Sequence, residues 1–200
     1  VAVRTRFIDD TVLEGLNRAQ QVVVLGSGLD SRPWRLNPPG ADRIRWFEVD
    51  FKEVLDYKQT ALEVDSGAKP PAVTYIPISA NVCTDNWAAQ LLENGFDGTA
   101  PTIWLLEGFT GYLKEEELRD LFCTIKPLSA AGSELIATFV GRNFRSVHDM
   151  HRFLTDEPLT HLATWGWPKG DSWTIRELAA QLGREGRVWD GYYMAKASMP

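Results

Sequence analysis

The most constraining feature of this chain is a short β-branched run, residues 21–25, that ends in the turn Gly26-Ser27-Gly28. Consecutive apolar residues bounded by a glycine turn read as a strand buried on both faces, and such strands belong to parallel sheets. Glycine directly after the strand lets the backbone pass close beneath a ligand, and a helix starting there offers unpaired N–H groups. Taken alone, the turn fits an ordinary tight connection equally well.

The rest of the chain repeats the alternation. Residues 6–19 read as a helix with Phe7, Val12, Leu13 and Leu16 roughly on one face. Further strands are expected at 44–49, 73–78, 102–106 and 135–140, and helices at 51–64 and 114–128. Asp85 can cap another helix running through Trp87, Leu91 and Leu92. Beyond the fifth strand the pattern gives helical regions around 148–162 and 175–182, then a closing strand at 188–197. This alternation, without internal repeat, predicts an α/β fold: one domain over residues 1–200, with a mostly parallel sheet of about seven strands and helices on both faces. Ligands of such sheets bind at the carboxyl ends of the strands, beside the switch in strand order.

Composition narrows the ligand class. A length of 200 residues with 44% hydrophobic content suits one substantial core. The net charge of −6, without a Lys/Arg block, gives no electrostatic basis for binding nucleic acid or an anionic membrane. No apolar run approaches the ~18 residues of a membrane span. Cys83 and Cys123 form no metal-ligand pattern and read as reduced thiols of a cytoplasmic protein. No metal is expected. The chain opens without Met and without a secretory pattern, so a targeting segment or extension can precede it.

The residues after each strand carry the chemistry. The second strand ends in Glu48-Val49-Asp50, about twenty residues beyond the glycine turn, where a carboxylate can accept both ribose hydroxyls of a nucleoside. Asp50 could equally cap the helix that follows. A dinucleotide site needs a small third residue in GxGxxG; Ser31 is tolerable there, but Arg32, Pro33 and Trp34 follow at once. Asp30 would also face the pyrophosphate, which is unfavourable, whereas facing an ammonium it is apt.

The series VVLGSGLDSRPWRL at 23–36, FEVD at 47–50 and EGFTGYL at 107–113, with RTRFIDD at 4–10, closely resembles the leucine carboxyl methyltransferase family. The resemblance implies a Rossmann-like class I methyltransferase fold and the cofactor S-adenosyl-L-methionine. It places Gly26, Ser27 and Gly28 under the cofactor with Asp30 nearby, and Glu48, Val49 and Asp50 at the ribose. Glu107 and Gly108 then lie at the methionine ammonium, and Arg4 at the methionine carboxylate. Where the family has Asp-Leu-Arg after strand three, this chain has Asn81-Val82-Cys83, so Asn81 and Val82 are the implied adenine contacts. The family's N-terminal lid segment has no counterpart here.

The implied reaction is O-methylation of a carboxylate or hydroxyl, on a small molecule or a protein C-terminus. An ionised carboxylate needs no general base, and no obligatory triad is expected. A nicotinamide-dependent oxidoreductase and a non-catalytic nucleoside-binding remnant are the competing readings. His148, His151 and His161 read as solvated helix residues, and Tyr112 as either a contact or core. Trp165, Trp167 and Trp173 are core filling or an aromatic wall of the acceptor pocket.

Overall fold

The computed structural model describes residues 1–65, 67–144, 150–184, 186 and 190–200. Its strands are β1 (Gln21–Leu25), β2 (Arg45–Asp50), β3 (Thr74–Ser79), β4 (Thr102–Leu106), β5 (Glu134–Val140), β6 (Lys169–Thr174) and β7 (Tyr192–Ser198). They form one seven-stranded sheet in the order β3-β2-β1-β4-β5-β7-β6. The first five run parallel, while β7 is antiparallel to both β5 and β6.

Strands β1, β4 and β5 are buried along their whole length, which is why they read as continuous apolar runs rather than alternating ones. Period-two geometry divides their side chains between two cores. Val23, Phe47, Trp104 and Leu135 stand in register on one face, beneath α4 (Trp87–Glu93) and α5 (Glu115–Ile125). Val22, Trp46, Ile103 and Ile136 face the other way, onto α1 (Ala2–Gly15) and α7 (Ile175–Gln181).

Several elements depart from expectation. Helix α1 begins four residues earlier than its periodicity suggests and buries Ile8, Thr11 and Val12, with Phe7 and Leu16 only packed alongside. That early start brings Arg4 into the helix. Asn86, not Asp85, caps α4, its Oδ1 accepting the Ala89 N–H at 3.1 Å. Asp85 instead accepts the Asn81 N–H at 2.9 Å. The helix expected over 51–64 is α3 (Lys52–Gln59) followed by a wider turn, Thr60–Asp65. Strand β6 was not expected at all: it is an edge strand with its first half exposed, so no apolar alternation marks it. Residues 145–149, which include His148, and 187–189 at the start of the expected closing strand lie outside the described residues. Of the region 148–162, the described helical part is α6 (Pro158–Thr164).

The central strands are held by large rings. Trp104 is fully buried, with ring centroids 6.4 Å from Trp87 and 5.7 Å from Phe96, yet its indole N–H has no hydrogen-bond partner among the described residues. Trp104→Ala should therefore lower stability by about 3–5 kcal/mol. Trp104→Phe, which keeps a ring and removes the unpaired N–H, should cost much less. Urea unfolding of both variants reads the difference.

Candidate functional site

The chain reverses its direction across the sheet between β1 and β4, and a cavity of about 660 Å³ opens at their carboxyl ends. Gly26 follows β1, and its N–H donates to Val49 O of β2 at 2.9 Å. Its φ is +67°, and a Cβ there would come within 2.5 Å of the Phe109 ring, so only glycine fits. Gly28, at φ +51°, has open space where its Cβ would stand. The turn is thus closed on its inner side and open on the cavity side.

Asp50 lies at the end of β2. One carboxylate oxygen accepts the Gly28 N–H at 2.7 Å and the other accepts the Phe51 N–H at 2.7 Å. Asp50 therefore fastens the turn to β2, while the N-cap of α3 is Phe51 and has no side-chain cap. The Phe51 side chain beside it is 54% exposed.

A chain of charges forms the cavity floor. Glu107, at the end of β4, lies 2.7 Å from Arg4 Nε and 2.7 Å from an Arg32 amino group. Arg32 is 3% exposed and also donates to Asp30 at 2.9 Å and to Asp9 at 2.8 Å. Arg35 grips Asp9 with both amino groups, and Arg4 donates to the Tyr192 hydroxyl at 2.9 Å. Burial alone would lower the affinity of Arg4 and Arg32 for their protons. The neighbouring groups, the Tyr192 hydroxyl and the Glu107 carboxylate for Arg4, Asp30 and Glu107 for Arg32, outweigh it and hold both above the usual arginine range.

Beneath the turn lies a second cluster. Glu48 and Lys58 are both buried and form an ion pair, with the Tyr75 hydroxyl donating to Glu48 at 2.8 Å and Lys58 donating to Ser27 Oγ at 3.1 Å. Burial pushes the Glu48 carboxyl up to about 7; Lys58 opposes that rise and Asp30 adds to it. Glu48 Oε1 has no hydrogen-bond partner among the described residues.

The sequence candidates thus fall into four places. Arg4, Gly26, Ser27, Gly28, Asp30, Glu107 and Gly108 line the cavity together. Glu48 and Val49 are buried behind the turn, which they support, Glu48 through Lys58 and Val49 through its carbonyl. Asp50 reaches the cavity through Gly28. Asn81 and Val82 lie outside it, and Val82 borders a separate cavity of about 350 Å³. The Asn81 side-chain oxygen accepts the Cys83 N–H at 2.9 Å.

Arg32 and Lys58 were not foreseen. In the sequence Arg32 stands out only as bulk after the turn, whereas in the fold it is the buried hub of the floor. Lys58 carried a signal: it falls on the helical stripe of Val54, Leu55 and Leu62, where a charge demands a partner. The late tryptophans do not wall the cavity. Trp165 stacks on Phe122 at 4.8 Å, Trp167 is buried, and Trp173 packs on Phe7 at 5.2 Å. Phe109, Tyr112, Phe144 and Tyr192 supply the cavity's aromatic surface instead. His151 lines the cavity and is not helical, while His161, within α6, packs between the rings of Phe153 at 5.0 Å and Trp165 at 5.4 Å.

Fold and crevice together define an α/β domain with a cavity at its topological switch. The profile of the family described as leucine carboxyl methyltransferase matches residues 1–126. The chain is 40% identical over 148 residues to a provisionally named S-adenosyl-L-methionine-dependent methyltransferase of Mycobacterium avium (strain 104), covering 72% of this chain and 45% of that protein. A Streptomyces avermitilis protein of the same provisional description is 33% identical over 202 residues, covering 92% of this chain and 67% of its own length. This chain belongs to the leucine carboxyl methyltransferase family. It spans less than half of the mycobacterial relative.

Solved structures agree on the fold. A DUF574 family protein of Streptomyces avermitilis superposes with a TM-score of 0.73 at 14% identity, covering 100% of this chain and 83% of that one. Human N-acetylserotonin methyltransferase, solved with S-adenosylmethionine, gives 0.58 at 10% identity over 95% of this chain and 51% of its own. Among the described residues no helix is long and apolar enough to cross a membrane.

The Glu48–Lys58 pair makes a pH-dependent prediction. Because the folded-state pKa of Glu48 lies above its ordinary 4.5, the folded chain holds the proton more tightly than the unfolded chain. Its contribution is therefore greatest at low pH and declines as pH rises from about 4.5 to about 7. Lys58→Met removes the opposing cation and drives the Glu48 pKa higher. The variant should go on losing stability above pH 7, by up to about 1.4 kcal/mol per pH unit, where the parent's Glu48 contribution has levelled off. Urea midpoints from pH 6 to 9 test this; parallel curves would contradict it.

Proposed function

We propose that this chain is the cofactor-binding core of an S-adenosylmethionine-dependent O-methyltransferase. The observation that carries the reading is the opposed pair Arg4 and Glu107 on the cavity floor, one cleft away from the Gly26 turn and Asp50. A ligand carrying an ammonium and a carboxylate at one end and a nucleoside at the other matches both ends.

The residues present fit that ligand. The open side of Gly28 leaves room for a nucleoside over the turn, and the remaining lone pairs of Asp50 can accept ribose hydroxyls. Phe51, exposed beside Asp50, can flank the adenine. Glu107 can take the methionine ammonium and Arg4 the carboxylate. Because the floor already balances cations against carboxylates, a zwitterion enters without leaving a charge uncompensated. When bound, the cofactor supplies an electrophilic methyl group, and the protein's part is alignment and exclusion of water.

The nicotinamide reading fits less well. A pyrophosphate near Gly28 would face Asp30, and Arg32 beside it is already shared among three carboxylates. A small-molecule acceptor suits a cavity of about 660 Å³ better than a protein C-terminus.

Calorimetric titration should show binding of S-adenosylmethionine and S-adenosylhomocysteine and none of NAD. Asp50→Ala should weaken the former by about 1–3 kcal/mol, the loss expected for charge-assisted hydrogen bonds. Tight NAD binding without response to the sulfur nucleosides would overturn the reading. Unchanged affinity in Asp50→Ala would leave Asp50 as a fastener of the turn alone.

A further inference from the structure

Beyond Glu107 the cavity changes character. Its near part is the charge network, with Phe109 against Gly26 and Tyr192 on Arg4; its aromatic lining continues over Tyr112, Phe144 and His151. The His151 ring lies 5.2 Å from Tyr112 and 6.4 Å from Phe144, and the Phe144 ring lies 5.7 Å from Tyr192.

The main chain holds His151 there. The Arg152 N–H donates to Gly111 O at 2.8 Å, and the Thr155 N–H donates to Val140 O, at the end of β5, at 2.9 Å. Gly111 makes room for the imidazole: a Cβ at that position would stand 3.0 Å from Val140 Cγ2 and 3.2 Å from His151 Cδ2. The imidazole therefore sits against the Gly111 turn, near the end of β5, on the cavity wall. His161, by contrast, is not among the residues that line the cavity.

This wall discriminates between the two oxygen acceptors. A carboxylate is already ionised near neutrality and needs a cation to hold it, not a base. The described cations lining the cavity, Arg4, Arg32 and Arg35, all face carboxylates of the protein. A hydroxyl needs the opposite: a base within reach of its proton. Aromatic rings on the same wall suit a planar acceptor.

Resting on the methyl-transfer reading, we propose that the far half of the cavity takes a phenol and that His151 is the general base for its hydroxyl. The acceptor's O–H proton passes to the imidazole and then to water, while its oxygen bonds to the methyl carbon, the carbon–sulfur bond breaks and S-adenosylhomocysteine leaves. Tyr112 and Phe144 orient the acceptor ring.

The test compares 4-nitrophenol, 4-methylphenol and benzoate with the full chain and His151→Gln. His151→Gln should lower kcat on 4-methylphenol by about 10²–10⁴-fold with little change in KM. The loss should shrink to under about tenfold on 4-nitrophenol, whose hydroxyl ionises without help. A binding readout needs no turnover: with S-adenosylhomocysteine present, the nitrophenolate absorbance should rise when 4-nitrophenol binds the parent chain and not when it binds His151→Gln. Equal losses on both phenols, an unchanged absorbance response, or preferential methylation of benzoate would each overturn the proposal. If His151→Gln melts below the assay temperature, His151→Asn is read by the same criteria. Failure of S-adenosylhomocysteine to bind in calorimetry would instead overturn the underlying methyl-transfer reading, whatever the role of His151.

Discussion

Arg32 carries its guanidinium into the cavity floor almost without solvent contact, and carboxylates from three separate elements converge on it. Asp9 comes from α1, Asp30 from the turn after β1, and Glu107 from the end of β4. A buried cation is tolerable only when paired, and removing one partner of such a network typically costs about 3–5 kcal/mol. The arrangement therefore does more than fill space. It fixes the distance between the glycine turn and the β4 end, which is the width of the crevice. Arg4 and Tyr192 extend the same network toward β7.

Two supports set the height of the turn. From below, Lys58 joins Glu48 to Ser27 Oγ; from the side, Asp50 accepts the Gly28 N–H. The open face above Gly28 is what remains for a ligand. Fold and site are consequently not separable here: the charges that shape the crevice also dock α1 and α3 against the sheet.

The central sheet was legible because its strands are buried on both faces. The limits of β1 and β4 follow from unbroken apolar runs between glycine, proline or charged boundaries. Edge strand β6 was not, since Lys169, Gly170 and Asp171 face solvent and carry no alternation. At the site, Asp50 could be placed from its distance to the turn, whereas Arg4 and Glu107 came through family resemblance. Arg32 was illegible because its partners lie at positions 9, 30 and 107, and only the folded sheet brings them together. His151 was misread as a solvated helix residue because nothing local shows that the Gly111 turn would hold it against the cavity.

The central claim is that the floor's paired charges select the amino-acid end of the cofactor. Calorimetry with S-adenosylhomocysteine and with 5′-methylthioadenosine, which lacks that end, tests it directly. The parent chain should bind the former at least about tenfold more tightly, roughly 1.4 kcal/mol, and Glu107→Gln should narrow the gap. Equal affinity for the two nucleosides in the parent chain, or a gap indifferent to Glu107, would contradict the account.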